Sequence, residues 1–129
     1  MYSIREVQVK SGLPASTLRY YEKEGILPDV GRDEGGRRVY TDKQIDWIRF
    51  VMAMKDTGMT IEEIKAYLEL NAIGEATVHE RRDLLVAHQK KVEEHMAQTQ
   101  HNLEKIIQKI AYYDQVVMGK SCYGKKPFA

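Results

Sequence analysis

The segment Thr17-Leu18-Arg19-Tyr20-Tyr21-Glu22 holds the side chains with the clearest chemical use. On a helix, Leu18 and Tyr21 stand three residues apart and face one core together. That leaves Ser16, Thr17, Arg19, Tyr20 and Lys23 outward. Hydroxyls, a guanidinium and an ammonium are donors suited to phosphate oxygens and base edges. A second set of donors follows. Arg32 precedes the pair Gly35-Gly36, Arg37 and Arg38 come just after it, and Tyr40 closes the segment. Arginines on a hairpin grip backbone phosphates or enter a narrow minor groove. Both segments also read as plain solvated surface, and Asp33 and Glu34 strengthen that reading for the hairpin. From Pro14 to Tyr40, the bases Arg19, Lys23, Arg32, Arg37 and Arg38 are balanced by Glu22, Glu24, Asp29, Asp33 and Glu34. Charge alone does not decide.

Other chemistry is thinly represented. We find no paired catalytic carboxylates, no nucleophile beside a base and no phosphate-cradling glycine loop, so an enzyme is not expected. Cys122 is the one cysteine, which rules out an intrachain disulfide and a cysteine-built zinc site. His79 reads as a surface histidine, with a ligand added to Cys122 across a dimer as the alternative; His88, His95 and His101 lack the i, i+4 spacing of a ligand pair and read as seam-edge or surface residues. Neither a metal nor a cofactor is expected. Lys120, Lys125 and Lys126 lie near Cys122, and positive charge favours the reactive thiolate. Cys122 is therefore a candidate sensor of electrophiles or oxidants, by modification or by an intersubunit disulfide; an incidental tail thiol is the plainer alternative.

The elements that position these residues are marked by four Ser/Thr-to-Glu/Gln pairs: Ser3 and Glu6, Thr41 and Gln44, Thr60 and Glu63, Thr77 and Glu80. Each matches a capping box, which marks a helix start. A first helix is predicted from Ser3 to Ser11, with Ile4 and Val7 inward, ending at Gly12. A second begins after Pro14 and ends near Gly25. The short Gly12-Leu13-Pro14 link between them suits a helix-turn-helix. Arg32 to Tyr40 then reads as a small two-stranded wing, its paired glycines supplying positive φ. A third helix spans Thr41 to Thr57, with Ile45, Ile48, Val51 and Met52 on one side. A fourth spans Ile61 to Leu70 and buries Ile64 and Leu68.

The last helix differs in kind. From Thr77 to Met118 there is no Pro or Gly, and the apolar pattern is close to a heptad. One row holds Val78, Leu85, Val92, Thr99, Ile106 and Tyr113; the other holds Arg82, Gln89, Met96, Leu103, Ile110 and Val117. A helix of this length, roughly 60 Å at 1.5 Å per residue, needs a partner helix, and a second copy is the default. The expected organisation is thus a head at 1–70, a linker at 71–76, a dimerisation helix at 77–118 and an irregular tail at 119–129. The seam residues are Leu85, Val92, Met96, Thr99, Leu103, Ile106, Ile110, Tyr113 and Val117.

At 129 residues, 43% hydrophobic and 30% charged, the chain suits one soluble domain with a modest core. Its net charge of +1 means that any affinity for a polyanion rests on local placement. No stretch approaches the roughly 18 apolar residues of a membrane span. Met1-Tyr2-Ser3-Ile4-Arg5-Glu6 lacks the apolar run of a secretory signal, so a cytoplasmic location is expected.

The order of these features resembles the MerR family of transcription regulators. The resemblance is carried by Gly12, Thr17 to Glu22, Gly25, Leu27-Pro28, Gly36, Arg38, Tyr40 and the segment from Gly58 to Ile64. Beyond Thr77 it lies in length and seam pattern. It implies a mainly α fold, with a winged helix-turn-helix head and a long helix pairing antiparallel in a homodimer. It also implies double-stranded promoter DNA and RNA polymerase as partners, with effector-driven distortion of the promoter. Arg19 and Tyr20 would fix the second helix on phosphates, and Arg38 would do so for the wing. Tyr40 would support the wing base and offer its hydroxyl to phosphate.

Three positions depart from the family pattern. Pro14 replaces a capping Ser or Thr, Arg37 replaces an aromatic residue, and Ser16 replaces a longer basic side chain. The short architecture is most similar to the branch that answers aldehydes, electrophiles and oxidants, although Ala53 stands where that branch often has a cysteine. A coiled-coil scaffold using the head for protein contacts is the alternative function, and the wing and the Arg19-bearing helix speak against it.

Overall fold

Three of the four capping pairs form, and they set the helix starts. The structure, a computed structural model, describes residues 1–119. Ser3 caps α1 (Ile4–Ser11), Thr41 caps α3 (Asp42–Asp56) and Thr60 caps α4 (Ile61–Ile73). In each, the hydroxyl accepts from the third backbone N–H, and the Glu or Gln there accepts from the cap's own N–H. Each cap contributes about 1 kcal/mol. Between α1 and α3 lies α2 (Ala15–Lys23), capped by Pro14 without a side-chain bond. Pro14 contributes its carbonyl instead, accepting from Thr17 and Leu18 N–H at 3.1 and 3.2 Å. The turn before it closes at Gly12, whose φ of 76° is left-handed and free of strain only for glycine.

The fourth pair does not form. Thr77 ends a 3₁₀ turn (Glu75–Thr77) ahead of α5 (Val78–Val117) and is buried. Its hydroxyl lies 2.6 Å from the Leu70 carbonyl and 2.8 Å from that of Gly74, and accepts from Arg81 Nε at 3.0 Å. The side chain expected to open α5 therefore closes α4, which itself runs three residues past the expected Leu70. The reason is geometric: Gly74 reverses the chain and brings Thr77 back over the unpaired carbonyls of the α4 C-terminus.

The wing has three strands where two were expected. β1 (Tyr2–Ser3), β2 (Gly31–Arg32) and β3 (Arg38–Tyr40) form an antiparallel sheet in the order β1-β3-β2. Tyr2 pairs with Tyr40 and Ser3 with Val39; on the other edge Gly31 pairs with Val39 and Arg32 with Arg38. A two-residue strand is too short to show alternation, so the sequence does not announce β1. Its effect is large, because it pins the start of α1 to the wing.

One core serves these elements. Val7 of α1, Leu18 and Tyr21 of α2, Ile45, Ile48 and Val51 of α3, and Ile64 of α4 are buried together with Ile26, Leu27, Tyr40 and Met59. Met52 packs at its edge, and Leu68 is half-buried rather than buried. Trp47 donates its indole N–H to the Ile26 carbonyl at 2.6 Å and stacks with Phe50 and Tyr67. Gln44 Nε2 donates to the carbonyls of Pro28 and Asp29 at 3.1 and 2.8 Å. These bonds hold the connection between α2 and the wing against α3.

Two compact units result, Met1–His88 and the chain from Gln89 onward. His88 closes the first unit: it is buried, with Nε2 2.8 Å from Thr57 Oγ1. It is thus neither a seam-edge nor a surface residue, because the first turns of α5 lie within the head. In the second unit α5 leaves its apolar rows in the open; Met96 is 65% exposed, Ile106 56% and Val117 85%. Among the described residues, no helix is long and apolar enough to cross a membrane.

Candidate nucleic-acid interface

On α2 the outward residues form one stripe. Ser16, Arg19, Tyr20 and Lys23 follow the i, i+3, i+4, i+7 spacing of a single helix face and are all exposed, while Thr17 at its flank is half-buried. Leu18 and Tyr21 are buried on the opposite side, as the spacing predicts. The stripe holds no acid.

Beside it, Arg5, Arg19, Arg32, Arg37 and Arg38 line one cleft of about 510 Å³, between the start of α1, α2 and the wing. Arg5 was not among the sequence candidates. On the sequence it is an ordinary outward position of the first helix, and only the pairing of β1 with β3 brings it to the wing. The stripe and the cleft share Arg19; Ser16, Thr17, Tyr20 and Lys23 stand outside the cleft lining.

Of the acids that balance these bases in sequence, Glu24 and Asp33 are engaged by other partners, and Glu22 is paired within the cleft. Glu24 meets Lys65 at 3.5 Å. Asp33 turns into its own loop, where one carboxylate oxygen accepts from the N–H groups of Gly35 and Arg37, each at 2.9 Å. This Asx-type turn, with Gly36 at φ 79°, shapes the wing tip. Glu22 reaches across from α2 to the wing, 2.6 Å from Arg38 Nε and 3.4 Å from Arg32. It fixes two arginines at the cleft and joins the wing to the helix that carries Arg19. Arg5, Arg19 and Arg37 have no acidic partner among the described residues. A sequence neutral on average thereby presents a concentrated positive surface.

Tyr40 supports the wing base as expected, but its hydroxyl is not placed for a phosphate. Its side chain is fully buried and its hydroxyl has no hydrogen-bond partner among the described residues, so it offers nothing to a phosphate. Burial pushes its hydroxyl above the usual tyrosine range, and it stays neutral. What Tyr40 does is hold the wing base on the core. Burying an unsatisfied hydroxyl costs about 1–3 kcal/mol, so Tyr40→Phe should raise the melting temperature and leave DNA affinity unchanged. A thermal melt with a binding isotherm checks this; lost affinity would return Tyr40 to the interface.

Cys122 lies outside the described residues. Among the described residues, no group of three or more His, Cys, Asp or Glu side chains is placed to hold a metal ion.

Comparison with known proteins agrees with this geometry. Residues 2–71 match the MerR HTH family of regulatory proteins, and residues 45–109 match the MerR DNA-binding family. An HTH-type transcriptional regulator of Haemophilus influenzae is 39% identical over 114 residues, covering 88% of this chain and 84% of that protein. The Bacillus subtilis HTH-type transcriptional regulator AdhR is 40% identical over 83 residues, covering 64% of this chain and 59% of that protein. The crystal structure of HiNmlR, a MerR family regulator lacking the sensor domain, bound to promoter DNA, superposes with a TM-score of 0.88 at 38% identity. That match covers 93% of this chain and 91% of HiNmlR. A helix-turn-helix carrying an acid-free donor stripe, an arginine-lined wing and these matches lead to one assignment: the chain belongs to the MerR family of DNA-binding transcription regulators.

Proposed function

We propose that the protein acts as a homodimer that grips promoter DNA with its arginine cleft and α2 stripe and regulates transcription by distorting the duplex. The convergence of five arginines from three elements on one cleft carries this reading. DNA-reading residues lie within 1–70, and Gly74 with the turn Glu75–Thr77 connects α4 to α5. Arg5, Arg19, Arg32, Arg37 and Arg38 contact phosphates, and Ser16, Thr17, Tyr20 and Lys23 face the backbone and base edges of the major groove. α5 supplies the dimer through Leu85, Val92, Met96, Thr99, Leu103, Ile106, Ile110, Tyr113 and Val117. The exposure of the C-terminal part of this seam supports that assignment.

Antiparallel pairing satisfies both heptad rows at once. Leu85 meets Val117 of the second copy, Val92 meets Ile110, Thr99 meets Leu103, and Met96 meets Ile106. Each layer joins one row to the other, as knobs-into-holes packing requires. Two heads spaced by this helix read a pseudo-palindromic site. Bending the duplex costs a few kcal/mol, supplied by an effector that binds one dimer state better than the other. RNA polymerase then finds its promoter elements in register. The chain works in the cytoplasm, and Cys122 senses electrophiles or oxidants.

A reporter driven by the DNA upstream of the gene tests both parts. With an aldehyde or diamide added, Arg19→Ala should abolish regulation altogether, while Cys122→Ser should regulate but lose the response. Regulation by Arg19→Ala at the parental level would sink the DNA-binding assignment. An undiminished response in Cys122→Ser would remove the thiol from the mechanism.

A further inference from the structure

Arg5 reaches the cleft through a series of local constraints. It is the second residue of α1, in a first turn whose N–H groups find no partners within the helix. That turn is held by the Ser3 cap, and Ser3 is at the same time a residue of β1. Both roles ask for the same backbone. A cap residue is extended, and Ser3, at φ −75° and ψ 165°, is so while β1 pairs it with Val39. The pairing therefore keeps the cap in shape, and the cap keeps the turn that carries Arg5. Yet β1 is only two residues long, and so short a ladder is marginal by itself.

The side chain of Tyr2 supplies the missing hold. Its backbone pairs with Tyr40 at the buried wing base, and its ring packs against the head core. Lys10, in the last turn of α1, places Nζ 4.9 Å from the ring centroid, within reach of a cation–π attraction. The hydroxyl donates to the carboxylate of Asp42, the first residue of α3. That bond and the carboxylate's charge hold the hydroxyl above the usual tyrosine range, so it stays neutral. One side chain thus joins β1 to the far end of α1, to α3 and to the core. Tyr2 is not among the residues that line the arginine cleft.

We propose that Tyr2 is a positioning residue for DNA binding: its ring clasps β1 to the head, which keeps Ser3 extended and holds Arg5 in the arginine cleft. The inference rests on the reading of that cleft as a phosphate-gripping surface. Tyr2 itself makes no contact with the duplex, and its effect on affinity passes through Arg5.

The salt dependence of binding to the upstream DNA, measured on the full chain, separates this role from plain stability. Tyr2→Ala should flatten the slope of log affinity against log salt by about 0.9, as Arg5→Ala does. The double variant Tyr2→Ala/Arg5→Ala should be no flatter than either alone. Tyr2→Phe keeps the ring and should restore the parental slope. Exchange of the Glu6 N–H, which Ser3 Oγ accepts at 3.2 Å, should speed at least about tenfold in Tyr2→Ala, with α3 and α4 at parental rates. Slopes that add in the double variant, a Tyr2→Phe slope as flat as that of Tyr2→Ala, or unchanged Glu6 exchange would overturn the positioning. So would loss of protection throughout the head, which marks a general stability role. The two failures are distinguishable: if Arg5→Ala leaves the slope unchanged, the reading of the cleft fails and the inference with it. A slope flattened by Arg5→Ala but not by Tyr2→Ala refutes the inference alone.

Discussion

Ile106→Asp should turn the dimer into monomers and abolish operator binding while leaving the head folded. In the proposed seam Ile106 packs against Met96 of the second copy, and symmetry introduces the change twice. Each copy loses about 1.5–3 kcal/mol of apolar burial and gains a carboxylate in an apolar layer, which costs several kcal/mol more. Together these exceed about 5 kcal/mol, roughly four orders of magnitude in the dimer dissociation constant. The head is spared because Ile106 belongs to the second unit and is 56% exposed in the isolated chain. Sedimentation velocity and circular dichroism should show a monomer with a folded head. Gln108→Asp carries the same charge on an exposed position outside the seam rows and should remain dimeric. A dimeric Ile106→Asp protein would mean that another surface joins the copies.

Arg38→Ala should weaken operator binding about 30- to 150-fold, close to 2–3 kcal/mol. Two effects add with the same sign. A charge-assisted phosphate contact is lost, and the half-buried Glu22 carboxylate, now without the guanidinium 2.6 Å away, faces an anionic duplex. Arg37→Ala removes a cation that has no acidic partner among the described residues, so it should cost only about 1 kcal/mol. Glu22→Gln in the Arg38→Ala background should recover the part due to the stranded carboxylate. Such a double-mutant cycle separates that part from the lost contact. Equal losses for Arg37→Ala and Arg38→Ala, with no recovery, would show that the Glu22 bridge has no part in presenting the wing.

Much of the head was legible because short-range chemistry governs it. Capping boxes need residues three apart, and Ser3, Thr41 and Thr60 deliver them; the Leu18 and Tyr21 spacing fixed the inward face of α2. What escaped depended on contacts distant in sequence. β1 is two residues long and gains meaning only against Tyr40 and Val39, and with it went Arg5. Thr77 carried the right motif, yet the turn at Gly74 offered its hydroxyl nearer acceptors. His88 looked like a surface residue until the first turns of α5 lay against Thr57. The charge balance from Pro14 to Tyr40 was legible as a sum. That five arginines line one cleft, with Glu22 bridging two of them and Glu24 and Asp33 engaged by other partners, arises only from the fold.

A departure from the family pattern is explained in the same terms. Pro14 lacks the hydroxyl of a usual cap, but its fixed φ and its carbonyl start α2 without one. For Ser16 and Arg37 the structure gives positions, exposed on α2 and in the cleft, and no reason for the residue type.

The arginine cleft is tested most directly by the salt dependence of binding to the upstream DNA. Affinity is measured from low to physiological salt for the parent, Arg5→Ala and Arg19→Ala. Each phosphate contact adds about 0.9 to the slope of log affinity against log salt, so each variant should flatten the slope by about one unit. Arg5→Ala is the sharper case, since its place at the interface comes from the fold alone. A shallow parental slope, or variants that leave it unchanged, would contradict the assignment of this cleft to DNA.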